Sequence, residues 1–360
     1  ATDVDEEELP EEEIIVPPQK VEAEIEVVEP LHPVLSRFNL PRELRWITRR
    51  ENYERLLTGR VPRTTLRQIH HVANKYKISR EVLLRRLRIA AAYQIACDVL
   101  AELGELGAGK AEREDRTGEF VTYRAYEAGD SLTQAEVFSL AGYLWGAFDE
   151  QSVRIERRVR REQKLNVVFF FDVSGSMMGD KIRAAKVVAA ALTVWACRNN
   201  YRVAVVPFTD AVKQYTTLKQ EMEDHLDLIC RTRAWGGTSL QNAMLAASEK
   251  EGELVDRNTP TLYVVVGDME TWGNAVYKGR VYGLVASARH LLENSHPQSR
   301  IVIYHISECG EGRREIEALR AALGDIVQVN VVERLDALPE AVFLQVRDFE
   351  QEVAEQQPAS

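Results

Sequence analysis

An α/β fold built on a doubly wound, mostly parallel sheet is expected for the second half of this chain, and three observations point to it. Short, wholly apolar runs recur at Val167–Phe171, Val203–Val206, Leu262–Val266, Ile301–Ile306 and Ile326–Val332. Runs of this kind are strands buried on both faces, as in parallel sheets covered by helices. Helical stretches separate them at Asp180–Arg198, Glu221–Ile229, Leu240–Lys250, Arg280–Asn294 and Arg313–Leu323. The first of these sets Ile182, Ala185, Ala189, Leu192 and Ala196 at alternating three- and four-residue steps, one face of a helix. Third, polar loops rich in Gly, Ser and Asp stand where an open α/β sheet binds ligands, beyond the carboxyl ends of its strands.

Ahead of this domain, placed at 165–350, the chain divides into three. Residues 1–35 alternate Glu with Val, Ile and Pro without a helical stripe, and are expected to form a disordered acidic tail. Residues 36–110 are expected to be a basic helical region, in which Leu44, Ile47, Tyr53 and Leu56-Leu57 mark short helices stopped by Gly59 and Pro62. Thr65 can cap a helix with Leu66, Ile69, Val72 and Ala73 on one face. Ser79 can cap a second, with Val82, Leu83, Leu87, Ile89-Ala90, Tyr93 and Ala96-Cys97, running to about Leu103. Joined by Lys75–Ile78, the pair makes a helix-turn-helix outline. Residues 111–164 connect the two regions: Val121-Thr122-Tyr123 is a candidate strand, 136–148 look helical, and the very basic run Arg154–Lys164 has a solvated helix as its plainer reading.

Composition narrows the function classes. At 45% apolar and 28% charged residues the chain is globular in type. Its longest apolar stretch, Val187–Ala196, is half the roughly 20 residues that cross a bilayer, so no membrane segment is expected. The acidic start has neither the basic nor the apolar region of a signal peptide, and a cytoplasmic location is expected. The net charge of −10 is unevenly placed: residues 1–30 carry twelve acids and one lysine, whereas 41–90 carry fourteen Lys/Arg against four Glu. That asymmetry speaks to partners rather than to fold. Cys97, Cys197, Cys230 and Cys309 form no closely spaced pair, and the seven histidines are scattered, so neither zinc nor a disulfide framework is expected.

The chemistry gathers in three loops. The strand ending at Phe171 runs into Asp172-Val173-Ser174-Gly175-Ser176; Gly236-Gly237-Thr238-Ser239 precedes the helix at Leu240; Gly267-Asp268 follows the strand Leu262–Val266. Asp172, Ser174, Ser176, Thr238 and Asp268 would then face one crevice as five hard oxygen donors, which suits Mg²⁺ (or Mn²⁺). Two carboxylates neutralise the ion without excess, and an open position remains for an acid from outside. Each loop also has a plainer reading: Asp172 and Ser174 as helix caps, Gly-Gly-Thr-Ser as loop and cap, Asp268 as a turn residue.

Asp172-x-Ser174-x-Ser176 with Thr238 and Asp268 resembles the metal-ion-dependent adhesion site of von Willebrand factor A (VWA) domains, a Rossmann-like fold, over about residues 165–335. The resemblance implies that Asp172, Ser174 and Ser176 are primary ligands, and that Thr238 and Asp268 bind directly or through water. The third loop departs from the family pattern: Gly267-Asp268-Met269-Glu270 stands where Thr/Ser-Asp-Gly is usual, and Glu270 adds a carboxylate. Upstream, Arg124-x-Tyr126-x-x-Gly129-Asp130 is similar to a segment of bacterial VWA proteins associated with MoxR-type AAA+ ATPases, and Arg154–Lys164 is similar to CoxE-like VWA proteins.

Catalysis is not expected. Gly104-x-x-x-x-Gly109-Lys110 lacks the Ser/Thr and the preceding strand of a P-loop and reads as a helix terminus. Ser174 occupies the place of the second Asp of an aspartyl phosphotransferase, and Ser176 lacks the upstream Gly of a nucleophile elbow. The expected function is Mg²⁺-dependent capture of an Asp or Glu of a protein partner. By resemblance that partner is a MoxR-type AAA+ ATPase in cofactor insertion or complex remodelling. The alternative is a nucleic-acid-binding regulator using 41–90, with Arg80, Arg85, Arg86 and Arg88 on phosphates.

Overall fold

The computed structural model describes residues 33–58, 61–104, 119–125, 154–160, 165–268, 274–306, 313–324 and 326–356. Two compact units divide the chain, one of residues up to Glu105 together with those from Lys164 onward, the other Leu106–Gln163.

The first unit opens with α1 (Pro33–Arg37), a 3-10 turn (Arg42–Thr48), α2 (Arg50–Leu57), α3 (Arg63–Tyr76) and α4 (Arg80–Glu102). Val34 and Leu35 of α1 are buried, so the stretch expected as tail yields to packed structure at Pro33, not after residue 35. Ser79 caps α4 as expected, its Oγ accepting from the Val82 amide at 3.2 Å. Thr65 does not cap α3: Pro62, extended and with φ already fixed, stands at that position, and Thr65 falls inside the first turn. Lys77, at φ +54°, makes the turn between α3 and α4. Gly104, at φ +70°, ends α4, which agrees with the reading of this glycine as a helix terminus.

In the second unit β1 (Glu119–Ala125) pairs antiparallel with β2 (Arg154–Arg160), Phe120 opposite Val159 and Arg124 opposite Ile155. The candidate strand at Val121–Tyr123 is thus present, and the plainer reading of Arg154–Lys164 as a basic helix gives way to a strand over its described part. Ile155 and Val159 stand four apart, a helical spacing, and pairing with β1 overrides it. The helix expected at 136–148 lies outside the described residues.

The chain then alternates β3 (Asn166–Asp172), α5 (Asp180–Arg198), β4 (Arg202–Phe208), α6 (Met222–Arg231), α7 (Leu240–Ser248) and β5 (Thr261–Gly267). A short hairpin follows, β6 (Ala275–Tyr277) and β7 (Arg280–Tyr282), then α8 (Leu284–Glu293), β8 (Arg300–Ile306), α9 (Arg313–Leu323), β9 (Val327–Val332) and α10 (Leu338–Gln356). Strands β4-β3-β5-β8-β9 form one sheet in that order, every pairing parallel. The helix expected from Arg280 begins only at Leu284, because Arg280–Tyr282 closes the hairpin against β6.

β3 and β5 are buried at every residue, as their unbroken apolar runs predict. Val167, Phe169 and Phe171 face a core shared with α5, α6 and α10; Val168 and Phe170 face α7, α8 and α9. The first core does not stop at α5. Leu83, Leu87, Ala90, Ala91 and Ile95 of α4, with residues of α1–α3, belong to the same apolar cluster. The helical region set apart as 36–110 is therefore, through residue 104, a second layer over α5 within one compact unit, not a domain of its own.

Candidate metal centre

Sheet order puts the three loops together. β3 lies between β4 and β5, and the chain leaves β3 toward β4 but returns past it to β5, so a crevice opens at the carboxyl end between β3 and β5. In register, Asp172 stands opposite Phe208 and Phe171 opposite Val266, which sets Asp172 level with Gly267.

Asp172 closes β3 and is fully buried. Its Oδ1 accepts from the Ser174 amide at 2.7 Å, and its Oδ2, also buried, has no hydrogen-bond partner among the described residues. Ser174 is buried and its Oγ lies 2.9 Å from Ser176 Oγ, which is at the exposed rim. The second loop is tied to the first by two backbone bonds, Trp235 N to Val173 O at 2.7 Å and Gly175 N to Gly236 O at 3.0 Å. Gly236 has φ +85°, a conformation that glycine adopts freely. Thr238 and Asp268 are both buried at this edge. Gly267 matters as well: a Cβ there would lie 2.9 Å from Asp172 Cβ, so the Asp172 side chain lies directly against its backbone. Glu270 lies outside the described residues.

The plainer readings can be separated. Neither Asp172 nor Ser174 caps α5, which starts after Gly179 with no side-chain cap, and Ser174 caps nothing in the 3-10 turn Gly175–Met177. Ser239 does cap α7, accepting from Asn242 N at 3.3 Å, so the cap belongs to Ser239 and leaves Thr238 free of that role. Burial, and after it the neighbouring Asp268 carboxylate, hold Asp172 well above the usual carboxylate range, while the Ser174 amide works the other way.

These donors fit a hard divalent cation. A buried carboxylate oxygen with no donor is an acceptor left over, and acceptors of this type are what Mg²⁺ coordinates. Among the described residues no three His, Cys, Asp or Glu side chains gather in a cluster suited to metal; the set here is two carboxylates and hydroxyls. His305, absent from the sequence-derived set, is buried opposite Gly267 in β8 and so stands at the same edge. Thr209, just past β4, is another: its carbonyl accepts from Ser239 N at 2.8 Å and holds the second loop in place. Thr209 could have been found by asking which residue follows each strand at this edge; His305 lies within β8 and is placed by its register.

The nucleic-acid reading fares differently. The second helix of the helix-turn-helix outline, α4, is buried along its length from Leu83 to Leu100 and cannot enter a groove. Two of its arginines are engaged within the fold: Arg85 Nη2 bonds Asp224 Oδ1 of α6 at 2.7 Å, and burial pulls Arg88 below the usual guanidinium range. Of the tryptophans, Trp195 is buried, Trp235 is 61% exposed and carries Lys213 Nζ 4.0 Å from its ring centroid, and Trp272 lies outside the described residues.

The family described as "VWA domain containing CoxE-like protein" matches residues 140–324, just over half the chain. No curated protein matches it. Among solved structures, the pilus adhesin SpaC from Lactobacillus rhamnosus GG in its open conformation gives a TM-score of 0.40 at 10% identity, over 67% of this chain and 35% of the adhesin, so the chain spans about a third of that protein. A mutant of the PilB minor pilin from Streptococcus sanguinis gives 0.39 at 12% identity, over 59% and 68%. No described helix is long and apolar enough to cross a membrane. With a five-stranded parallel sheet at its centre and the family match running from ahead of β3 through α9, the chain belongs to the VWA-domain-containing, CoxE-like family.

Proposed function

We propose that this protein is a metal-dependent interaction module, in which Asp172, Ser174, Ser176, Thr238 and Asp268 hold Mg²⁺ (or Mn²⁺) and the ion captures an Asp or Glu side chain of a protein partner. VWA membership supports an interaction or adaptor role in general. The observation that carries the metal is Asp172: its buried Oδ2 without a donor, against Gly267, is a cost that a cation would remove. A divalent ion supplies charge for binding an external carboxylate; the residues of the chain fix where that carboxylate arrives. Catalysis is no part of this reading, in which the Ser174 and Ser176 hydroxyls, 2.9 Å apart, serve the ion. The MoxR-type AAA+ ATPase as partner, cofactor insertion or complex remodelling as setting, and the cytoplasm as location rest on the resemblance noted above.

Titration calorimetry tests this reading. Mg²⁺ should bind the protein, and Asp172→Ala should abolish binding while the fold persists, because its removal also relieves the repulsion with Asp268. A pulldown from native lysate should lose its captured protein on addition of EDTA and with Thr238→Ala. Equal Mg²⁺ affinity in Asp172→Ala would overturn the assignment.

A further inference from the structure

The basic segment of the chain is not spent by the core. α3 contains Arg63, Arg67, His70, His71 and Lys75 and no acidic residue. Arg67, His71 and Lys75, four residues apart, form one exposed stripe along it and line a groove of about 410 Å³. One acid enters this groove, Glu43 of the 3-10 turn, which bonds Lys75 and Tyr76. Arg67 pairs with no carboxylate among the described residues.

The strongest opposite charge in the molecule is its own first 32 residues, with twelve acids and one lysine. They precede Pro33, where α1 begins, and α1 packs beside the same 3-10 turn whose Glu43 reaches α3. We propose that the acidic segment around Glu22–Glu26 docks along the Arg67–His71–Lys75 stripe of α3 and shields it from other polyanions. This is independent of any metal at the sheet edge.

Spacing and linker length bear on it. Glu26 stands seven residues before Pro33, a span of at most about 25 Å, and α3 is about 21 Å long. Glu22, Glu24 and Glu26 alternate with apolar residues, so an extended chain sets them on one side about 6.6 Å apart. Side chains four apart on a helix advance about 6.0 Å, so three acids run nearly in step with three basic positions. The last helix repels such a segment: α10 carries Glu340, Asp348, Glu350, Glu352 and Glu355 against Arg347 alone. Tethering supplies the high effective concentration that weak surface charge pairs need.

Two measurements on the full chain test the docking. Zero-length carbodiimide cross-linking should join Glu22, Glu24 or Glu26 to Lys75 or Lys77, and the product should vanish at about 1 M salt, where the Debye length falls to about 3 Å. Cross-links instead to Lys181 or Lys213 at the sheet edge would place the segment over the candidate metal centre and overturn the proposal. The second measurement is binding of a short duplex DNA, used as a generic polyanion. The variant Glu22→Gln/Glu24→Gln/Glu26→Gln should bind it about tenfold more tightly than the unaltered chain at low salt. Adding Arg67→Glu, an exposed change checked for folding by circular dichroism, should erase that gain. Unchanged DNA affinity in the triple variant, or a gain that survives Arg67→Glu, would refute shielding of α3.

Discussion

The two faces of the sheet are covered to different depths. On the side of Val168 and Phe170, α7, α8 and α9 form a single layer. On the side of Val167, Phe169 and Phe171 lie α5, α6 and α10, and α5 and α6 are themselves overlaid by the layer of α1–α4. α9 reads Arg-Arg-Glu-Ile-Glu-Ala-Leu-Arg-Ala-Ala-Leu, with polar residues free for solvent, whereas α5 runs without a polar break but Thr193 from Val187 to Ala196. A helix with a polar face can end a fold; a helix apolar all round has to be buried from both sides. The amino-terminal helices follow from the composition of α5, and small residues such as Ala189, Ala190, Ala90 and Ala91 suit close helix packing.

The most forceful way to break this comparison is to make equal cavities on the two sides. Leu87 of α4 and Leu291 of α8 are both fully buried, and either change to Ala should cost about 2–5 kcal/mol. Because α4 and the sheet share one core, urea unfolding of Leu87→Ala should remain a single transition, shifted as far as that of Leu291→Ala. Two separate transitions in Leu87→Ala, the second unshifted, would mean that the helices fold as a domain apart from the sheet.

What was legible in the sequence follows the same division. β3 and β5 could be read within a residue at each end because burial on both faces leaves an unbroken apolar run, and Asp172 stood out because it ends one. The positions of Thr238 and Asp268 at the same edge followed from strand order alone. Features set by distant pairing were hidden. Arg154–Arg160 has a helical spacing of apolar residues and is a strand because β1 lies beside it; Arg280–Tyr282 turns into a hairpin for the same reason. α4 looked like one face of a recognition helix, yet Ile89–Tyr93 is buried all round, which only α5 and α6 explain. His305 could not be placed near Asp268 without the register of β8.

A smaller effect probes the seam between the layers. Lys186 of α5 is buried there, its Nζ donating to Leu57 O of α2 at 2.8 Å and to Cys230 O of α6 at 3.3 Å. Burial brings its ammonium down to about 8. The folded chain then holds fewer protons than the unfolded one between about pH 8 and the ordinary lysine value near 10.5, so this residue's contribution rises with pH across that window, by up to about 3 kcal/mol. Tyrosines with raised values oppose the trend near its upper end, so the difference between the protein and Lys186→Met isolates the lysine. The stability of the protein minus that of Lys186→Met should rise from pH 8 to 10.5 in urea unfolding. A pH-independent difference would show that water reaches the seam.

The smallest expected effect concerns whether charge also fastens the outer layer. Arg85 of α4 bonds Asp224 at 2.7 Å and lies 3.6 Å from Asp227, and its side chain is half exposed. Exposed pairs are worth about 0.2–1 kcal/mol, since solvent screens the attraction and two side chains lose freedom. Leu87, two positions further along α4 and fully buried, should therefore outweigh Arg85 several-fold. A double-mutant cycle with Arg85→Ala and Asp224→Ala measures the pair itself, and its coupling should stay below about 1 kcal/mol and shrink further in salt. A coupling as large as the Leu87→Ala cost would invert the account, making the seam electrostatic. A small one leaves apolar burial of α5 as what holds four helices on one face of the sheet while the other face needs none.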